Sequence, residues 1–200
     1  MIGRMNDHHE SVLLKQELRA RIRESRRERG PEGAQADSSR FAEHLIALTR
    51  EHDASIVAAY LSTPDEPDTR AYLDWAREHG VRVLLPISRT DGLMDLAEFS
   101  EDEIEGYFGI PEPGGEVLAP NAIEDADVIF LPASAVDRSG MRMGWGRGYF
   151  DKLLGSMETL PPTYAVIYDD ELLDDVPSEP HDHPVLGVIT PSGIHRIETD

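Results

Sequence analysis

The 200 residues carry 19 Lys and Arg against 39 Asp and Glu, a formal net charge of −20, with 40% hydrophobic residues and no cysteine. That length suits one domain with a sizeable core, and the apolar content sets the chain apart from disordered sequences of similar charge. The composition excludes a disulfide scaffold, a cysteine nucleophile and a thiolate metal site, no apolar run reaches the roughly 20 residues of a membrane span, and the acidity argues against a nucleic-acid partner.

Residues 1–10 are polar and read as a flexible N-terminal tail, followed by one domain over residues 11–200. With no apolar signal core and no cysteine, a cytoplasmic location is expected. Leu14, Leu18 and Ile22 recur every four residues and predict a helix with one buried stripe. Lys15, Arg19 and Arg23 form a parallel basic stripe about 100° around it. Gly30, Pro31 and Gly33 are expected to end this helix, with Arg26, Arg27 and Arg29 on its solvated face. A second amphipathic helix is predicted over about 36–51, with Phe41, Leu45 and Leu48 inward.

Residues 55–61 are apolar and β-branched, the pattern of a buried strand, and a Pro- and Asp-containing loop follows at 62–67. A helix around 69–78, a stop at Gly80 and a strand at 81–85 complete a strand–helix–strand crossover unit. Another strand is predicted at 93–99, no helix across 107–116, and a strand at 127–131 ending at Pro132. A glycine-rich loop, a helix over about 148–154 and strands near 163–167 and 185–189 close the chain. The pattern predicts an α/β single domain with a mostly parallel central sheet flanked by helices.

The charge is unevenly distributed. Residues 12–29 hold seven Lys and Arg against three Glu, a local charge of +4, and residues 138–152 hold four against one, +3, which leaves −27 for the remainder. The second island coincides with the loop bearing Gly140, Gly144, Gly146 and Gly148, with Arg142 and Arg147 among them and a helix beginning near Tyr149. Glycines let backbone N–H groups approach a ligand, a helix N-terminus favours anions, and guanidinium groups bind phosphate bidentately. The spacing matches neither the Walker A pattern nor the dinucleotide fingerprint, and glycine-rich turns also occur without ligands. Asp151, in the first turn of the following helix, suits either the helix dipole or a Mg²⁺ ion beside phosphates. His181 and His183 flank Asp182, but two histidines two apart with no third nearby argue against zinc.

Taken together, Gly140, Arg142, Gly144, Gly146, Gly148, Tyr149, Phe150, Asp151 and Leu154 resemble the signature of the 5-formyltetrahydrofolate cyclo-ligase family, with Met143 and Phe150 where the family has Leu and Tyr. Further stretches resemble it in order: Lys15, Leu18 and Arg19; residues 60–69 with Glu66, Asp68 and Thr69; residues 108–113; and His181 with Asp182. The resemblance implies a fold similar to the NagB/RpiA/CoA-transferase-like fold. It implies ATP- and Mg²⁺-dependent closure of 5-formyltetrahydrofolate to 5,10-methenyltetrahydrofolate, with ADP and phosphate released. Arg142 and Asp151 are then catalytic, and ATP is bound by Lys15, Arg19, Arg142, Gly144, Trp145, Gly146, Arg147, Gly148, Tyr149, Phe150 and Asp151. Tyr60, Leu61, Glu66, Met94, Phe108, Tyr149 and Phe150 bind the folate, and Asp151 and Asp182 hold Mg²⁺. Small-molecule substrates, no nucleic acid, no membrane, and a monomer or weak homodimer complete the expectation. The alternatives are a nucleotide-binding regulatory paralogue without cyclo-ligase activity and, on fold analogy alone, a sugar-phosphate isomerase or CoA-transferase-like enzyme.

Overall fold

The computed structural model describes residues 2–106, 109–178 and 183–197, residues 2–10 by their backbone. Helix α1 (Ile2–Glu51) contains both predicted helices, divided by a kink at Gly30, whose φ of 65° and ψ of 178° are not helical. Pro31 opens the second half, where a residue without an N–H is tolerated, so that half begins earlier than residue 36. The backbone of residues 2–10, the expected tail, continues the first half. The predicted apolar stripe is buried only at its lower end. Ile22 is 5% exposed and packs with Ala135, Met143 and Val176, whereas Leu14 is 49% exposed.

The main sheet has the order β13 (Gly193–Arg196), β12 (Gly187–Thr190), β10 (Thr163–Val166), β7 (Val128–Pro132), β1 (Ile56–Ala58), β2 (Arg82–Ser88), β3 (Met94–Glu98) and β6 (Val117–Leu118). The five strands from β12 to β2 are parallel, and β13, β3 and β6 are antiparallel additions at the two edges. Alternation along each strand sorts the core into two layers. Val57, Val83, Val128, Phe130 and Val166 face the second half of α1, with Phe41, Leu45 and Leu48, and helix α2 (Arg70–Glu78). Ala58, Leu84, Ile129, Leu131 and Ala165 face helix α3 (Tyr149–Gly155) and a 3₁₀ turn at Pro120–Asp125.

Helix α2 lies where its sequence signals place it. The Asp68 carboxylate accepts the Arg70 N–H at 2.9 Å, and beyond His79 the chain turns left-handed at Gly80, with Val81 N–H donating to Ala76 O and Gly80 N–H to Arg77 O. Two small sheets have no clear periodic signal in sequence. One joins β11 (Leu172–Leu173), β8 (Ala135–Asp137) and β9 (Arg142–Met143) under the first half of α1, and the other is the hairpin of β4 (Glu103–Glu105) and β5 (Pro111–Pro113).

The chain leaves β1 to build β2 on one side and later returns to place β7 on the other, so the topology switches direction between β1 and β7. Open α/β sheets bind ligands outside the carboxyl ends of their strands at such a switch.

Candidate functional site

A cleft of about 360 Å³ opens at that switch point, in the size range of small-molecule sites. Tyr60, Leu61 and Glu66 enter it after β1, Pro86 and Ser88 from the end of β2, Met94 from the start of β3, and Pro132 from the end of β7. The glycine-rich loop supplies Arg142, Gly144, Trp145, Arg147, Gly148, Tyr149, Phe150 and Asp151. Twelve of the residues given a catalytic, ATP, folate or metal role in the sequence therefore line one cavity. Phe108 and Asp182 lie outside the described residues.

The glycine loop is fixed from below. Arg19 Nε donates to Gly144 O at 2.7 Å, and Ser134 Oγ donates to Met143 O at 2.6 Å. Burial and the like charge of Arg23 both lower the pKa of Arg19, and Asp151 partly restores it. The Arg19 guanidinium also packs against Gly146, where a methyl group would come within 3.3 Å of Cζ. Arg19 thus reaches the loop, but neither it nor the loop's Gly146 lines the cleft, and Lys15, one turn earlier on the half-buried side of the helix, does not line it either. Gly148 holds the left-handed conformation (φ 68°) that starts α3.

Arg142 and Asp151 pair with each other. Arg142 is buried, its Nη2 donates to Asp151 Oδ1 and its Nη1 to His183 O at 2.9 Å, while the Asp151 side chain stays 35% exposed. A cation and a carboxylate expected to act on the same phosphates therefore sit side by side at the head of α3.

The opposite wall carries Glu66. Its Oε2 accepts the N–H of Thr63 at 2.9 Å and the Thr63 hydroxyl at 3.0 Å. Burial nonetheless pushes its carboxyl above the usual range, against the hydrogen bonds from Thr63 and the charge of Arg26. Tyr60 is buried and donates to Pro67 O at 2.8 Å, which braces the loop carrying Glu66, and Tyr149 OH donates to Arg89 O at 3.1 Å. The wall is thus a held carboxyl group flanked by aromatic and aliphatic surface.

The basic islands divide. Arg142 and Arg147 line the cleft, but Lys152 donates to Gly92 O at 2.9 Å and Arg138 pairs with Asp174 at the surface. In the first island Arg27 is solvated as expected and pairs with Glu24 at the surface, whereas Arg26 is not. Arg26 is 5% exposed and forms a buried ion pair with Glu171 at 2.6 Å, a correction to its expected place on the solvated face. Arg29 is half-buried, pairs with Asp37 and Asp170, and stacks on the Tyr168 ring. Arg23 lines the cleft, a role its four-residue spacing from Lys15 and Arg19 could have signalled. Thr63 and Ile110 fall in the stretches 60–69 and 108–113 that resemble the family, whereas nothing in the sequence marks Ser88 as a cleft residue.

Among the described residues no group of three or more His, Asp or Glu could hold a metal ion by itself, and no helix is long and apolar enough to cross a membrane. Asp151 nevertheless fits Mg²⁺ in one respect: such sites need only one or two carboxylates when phosphate oxygens and water complete the shell, and its carboxylate is accessible from the cleft.

A family model described as the 5-formyltetrahydrofolate cyclo-ligase family matches residues 12–191. The chain is 40% identical over 141 residues to a 5-formyltetrahydrofolate cyclo-ligase of Mycolicibacterium smegmatis, covering 68% of this chain and 73% of that one. It is 30% identical over 180 residues to that of Escherichia coli K12, covering 86% and 98%. The solution structure of Aquifex aeolicus 5,10-methenyltetrahydrofolate synthetase superposes with a TM-score of 0.78 at 26% identity, covering 94% of each chain. A 5,10-methenyltetrahydrofolate synthetase from Mycoplasma pneumoniae shares the fold at a TM-score of 0.70 and 18% identity, over 88% of this chain and 97% of that one.

Proposed function

The chain belongs to the 5-formyltetrahydrofolate cyclo-ligase family, and from that premise we propose that the cleft at the β1–β7 switch point closes 5-formyltetrahydrofolate to 5,10-methenyltetrahydrofolate at the expense of ATP. The observation that carries the assignment to this cleft is the convergence of the glycine–arginine loop and the Glu66 wall on one cavity, which gives a polyanion and a heterocycle adjoining places.

The oxygen of a formyl group carried on nitrogen is a poor leaving group. In the proposed reaction it attacks the γ-phosphorus of ATP, the bond from that phosphorus to the β,γ-bridging oxygen breaks, and ADP departs. N10 then attacks the formyl carbon, the new C–N bond forms, phosphate leaves with the former formyl oxygen, and the N10 proton is lost. No protein nucleophile is required. The chain holds the reactants in line and balances charge that develops on the transferred group.

Backbone at Gly144 and Gly148 gives the triphosphate a close approach, and Arg142 and Arg147 supply positive charge. Lys15 and Arg19 extend the same basic helix toward the loop. Trp145 and the rings of Tyr149 and Phe150 offer flat surface, and with Tyr60, Leu61 and Met94 they confine the pterin and exclude water. The Glu66 carboxyl, raised by burial, orients the pterin by hydrogen bonding. Mg²⁺ held at Asp151 would neutralise phosphate charge, with Asp182 as its expected second ligand. We also assign the enzyme to the cytoplasm as a monomer or weak homodimer.

The test is turnover. Purified protein supplied with 5-formyltetrahydrofolate, ATP and Mg²⁺ should produce the methenyl absorbance together with one ADP per product. Well-folded protein that binds ATP without producing it would favour the regulatory reading, and product without ATP would overturn the mechanism.

A further inference from the structure

Arg26 does not line the cleft, yet its guanidinium contacts three of the segments that do. Nη1 donates to Asp65 O at 3.1 Å, on the loop that carries Glu66. Nη2 donates to Ala133 O at 2.9 Å, one residue past Pro132 at the end of β7. Cζ lies 4.8 Å from the centre of the Trp145 ring in the glycine loop. The remaining contacts go to Glu171, from Nε at 2.6 Å and Nη2 at 2.8 Å, and Glu171 is fixed in turn by accepting the Tyr168 N–H at 2.8 Å.

An arginine that served only to neutralise Glu171 would need the two parallel bonds of a bidentate pair. Here two further bonds go to main-chain carbonyls on different segments, and the guanidinium lies over an aromatic ring on a third. A buried ion pair is a weak source of stability, since apolar residues of similar volume often serve as well. Its stronger justification at this position is geometric: a planar fork with donors on three nitrogens fixes several segments relative to one another, which a lysine with one nitrogen cannot do.

We propose that Arg26, seated on Glu171, is a positioning residue for the reaction, locking the Glu66 wall and the glycine loop at the separation that aligns the folate with the nucleotide. The role rests on the cleft being the reaction site. It predicts that loss of the fork disturbs both substrates at once, although Arg26 contacts neither.

The experiment compares the parent with two variants by steady-state kinetics in each substrate and by thermal unfolding. The double variant Arg26→Met/Glu171→Leu removes both charges and keeps the volume. It is expected to unfold cooperatively near the parent temperature while KM for ATP and KM for 5-formyltetrahydrofolate rise together and kcat falls about 10- to 100-fold. Arg26→Lys keeps the charge opposite Glu171 but cannot reach both carbonyls, and the same joint rise is expected in smaller measure. A purely structural role would lower the folded fraction, reducing apparent kcat with both KM values unchanged. Either folded variant with both KM values and kcat within two-fold of the parent overturns the proposal. An inactive parent overturns the reading of the cleft and the proposal with it, whereas an active parent isolates Arg26.

Discussion

The glycine loop makes two different demands on its glycines, and two alanine substitutions separate them. At Gly148 a conformational demand is added to the approach of the phosphates. Its φ is 68°, and a methyl group built there meets nothing within 4 Å, so in stability alanine costs only the left-handed backbone penalty of about 1 kcal/mol. For a chain of this size that lowers the melting temperature by roughly 2–4 °C. At Gly144 the φ is not left-handed and a methyl group again meets nothing within 4 Å, so Gly144→Ala should leave the protein unharmed or stabilise it by about 0.4–1 kcal/mol through the unfolded chain. Gly144 lines the cleft, however, and a methyl group pressed against a phosphate seated on the backbone costs about 1–3 kcal/mol. That corresponds to a rise of about 5- to 150-fold in KM for ATP. Thermal unfolding and ATP titration of both variants decide the matter. If Gly144→Ala binds ATP within two-fold of the parent, the backbone at 144 is not where the nucleotide approaches, and the placement of the phosphates falls.

Three further outcomes follow from the charges. The folded-state carboxyl of Glu66 is raised, so its contribution favours the fold at acid pH and is lost as pH rises through the usual carboxylate range to its folded value. Glu66→Gln keeps an acceptor for Thr63, so it should raise the melting temperature at about pH 8 but not at about pH 4, while lowering kcat/KM for the folate about 10-fold or more. An equal change at both pH values would refute the burial argument. Asp151→Asn removes the carboxylate beside the buried Arg142 and should cost about 1–2 kcal/mol, since the Asp151 side chain is 35% exposed. It should also move the Mg²⁺ dependence of turnover upward about 10-fold, and an unmoved Mg²⁺ titration would remove Asp151 from the metal site. Finally, a net charge of −20 with only two lysines suits a saline cytoplasm. The melting temperature should climb as KCl shortens the screening length from about 10 Å to about 3 Å, and a flat response would end that reading.

The parallel strands and their helices are legible because each leaves a periodic trace. Val57, Ala58 and Ala59 alternate between the two core layers, and Phe41, Leu45 and Leu48 keep helical spacing against one of them. The two-residue strands β9 and β11 are too short for any period to register, so the small sheet beneath α1 is invisible in sequence. That omission explains the error at Leu14. Periodicity identifies the side of the helix that turns inward, but how far along it stays covered depends on the extent of the surface below. Here the small sheet and its neighbours bury Ile22, whereas Leu14 is left half exposed.

Charge was legible only as density. Local sums of +4 and +3 locate the cations, and five of them, Arg19, Arg23, Arg26, Arg142 and Arg147, do meet the glycine loop or the cleft. What each cation does is decided by a partner remote in the chain: Arg19 by Gly144 O 125 positions away, and Arg26 by Glu171 145 positions away. Glu171 stands in an ordinary acidic stretch, and Arg26, four residues past Ile22, continues the inward stripe of the helix, whereas Arg27 next to it is exposed. Helical spacing therefore turns Arg26 inward, but it does not tell an arginine that merely neutralises a carboxylate from one that holds a cleft together. The feature that separates them is the number of segments a side chain joins, which is a property of topology and leaves no trace in local composition.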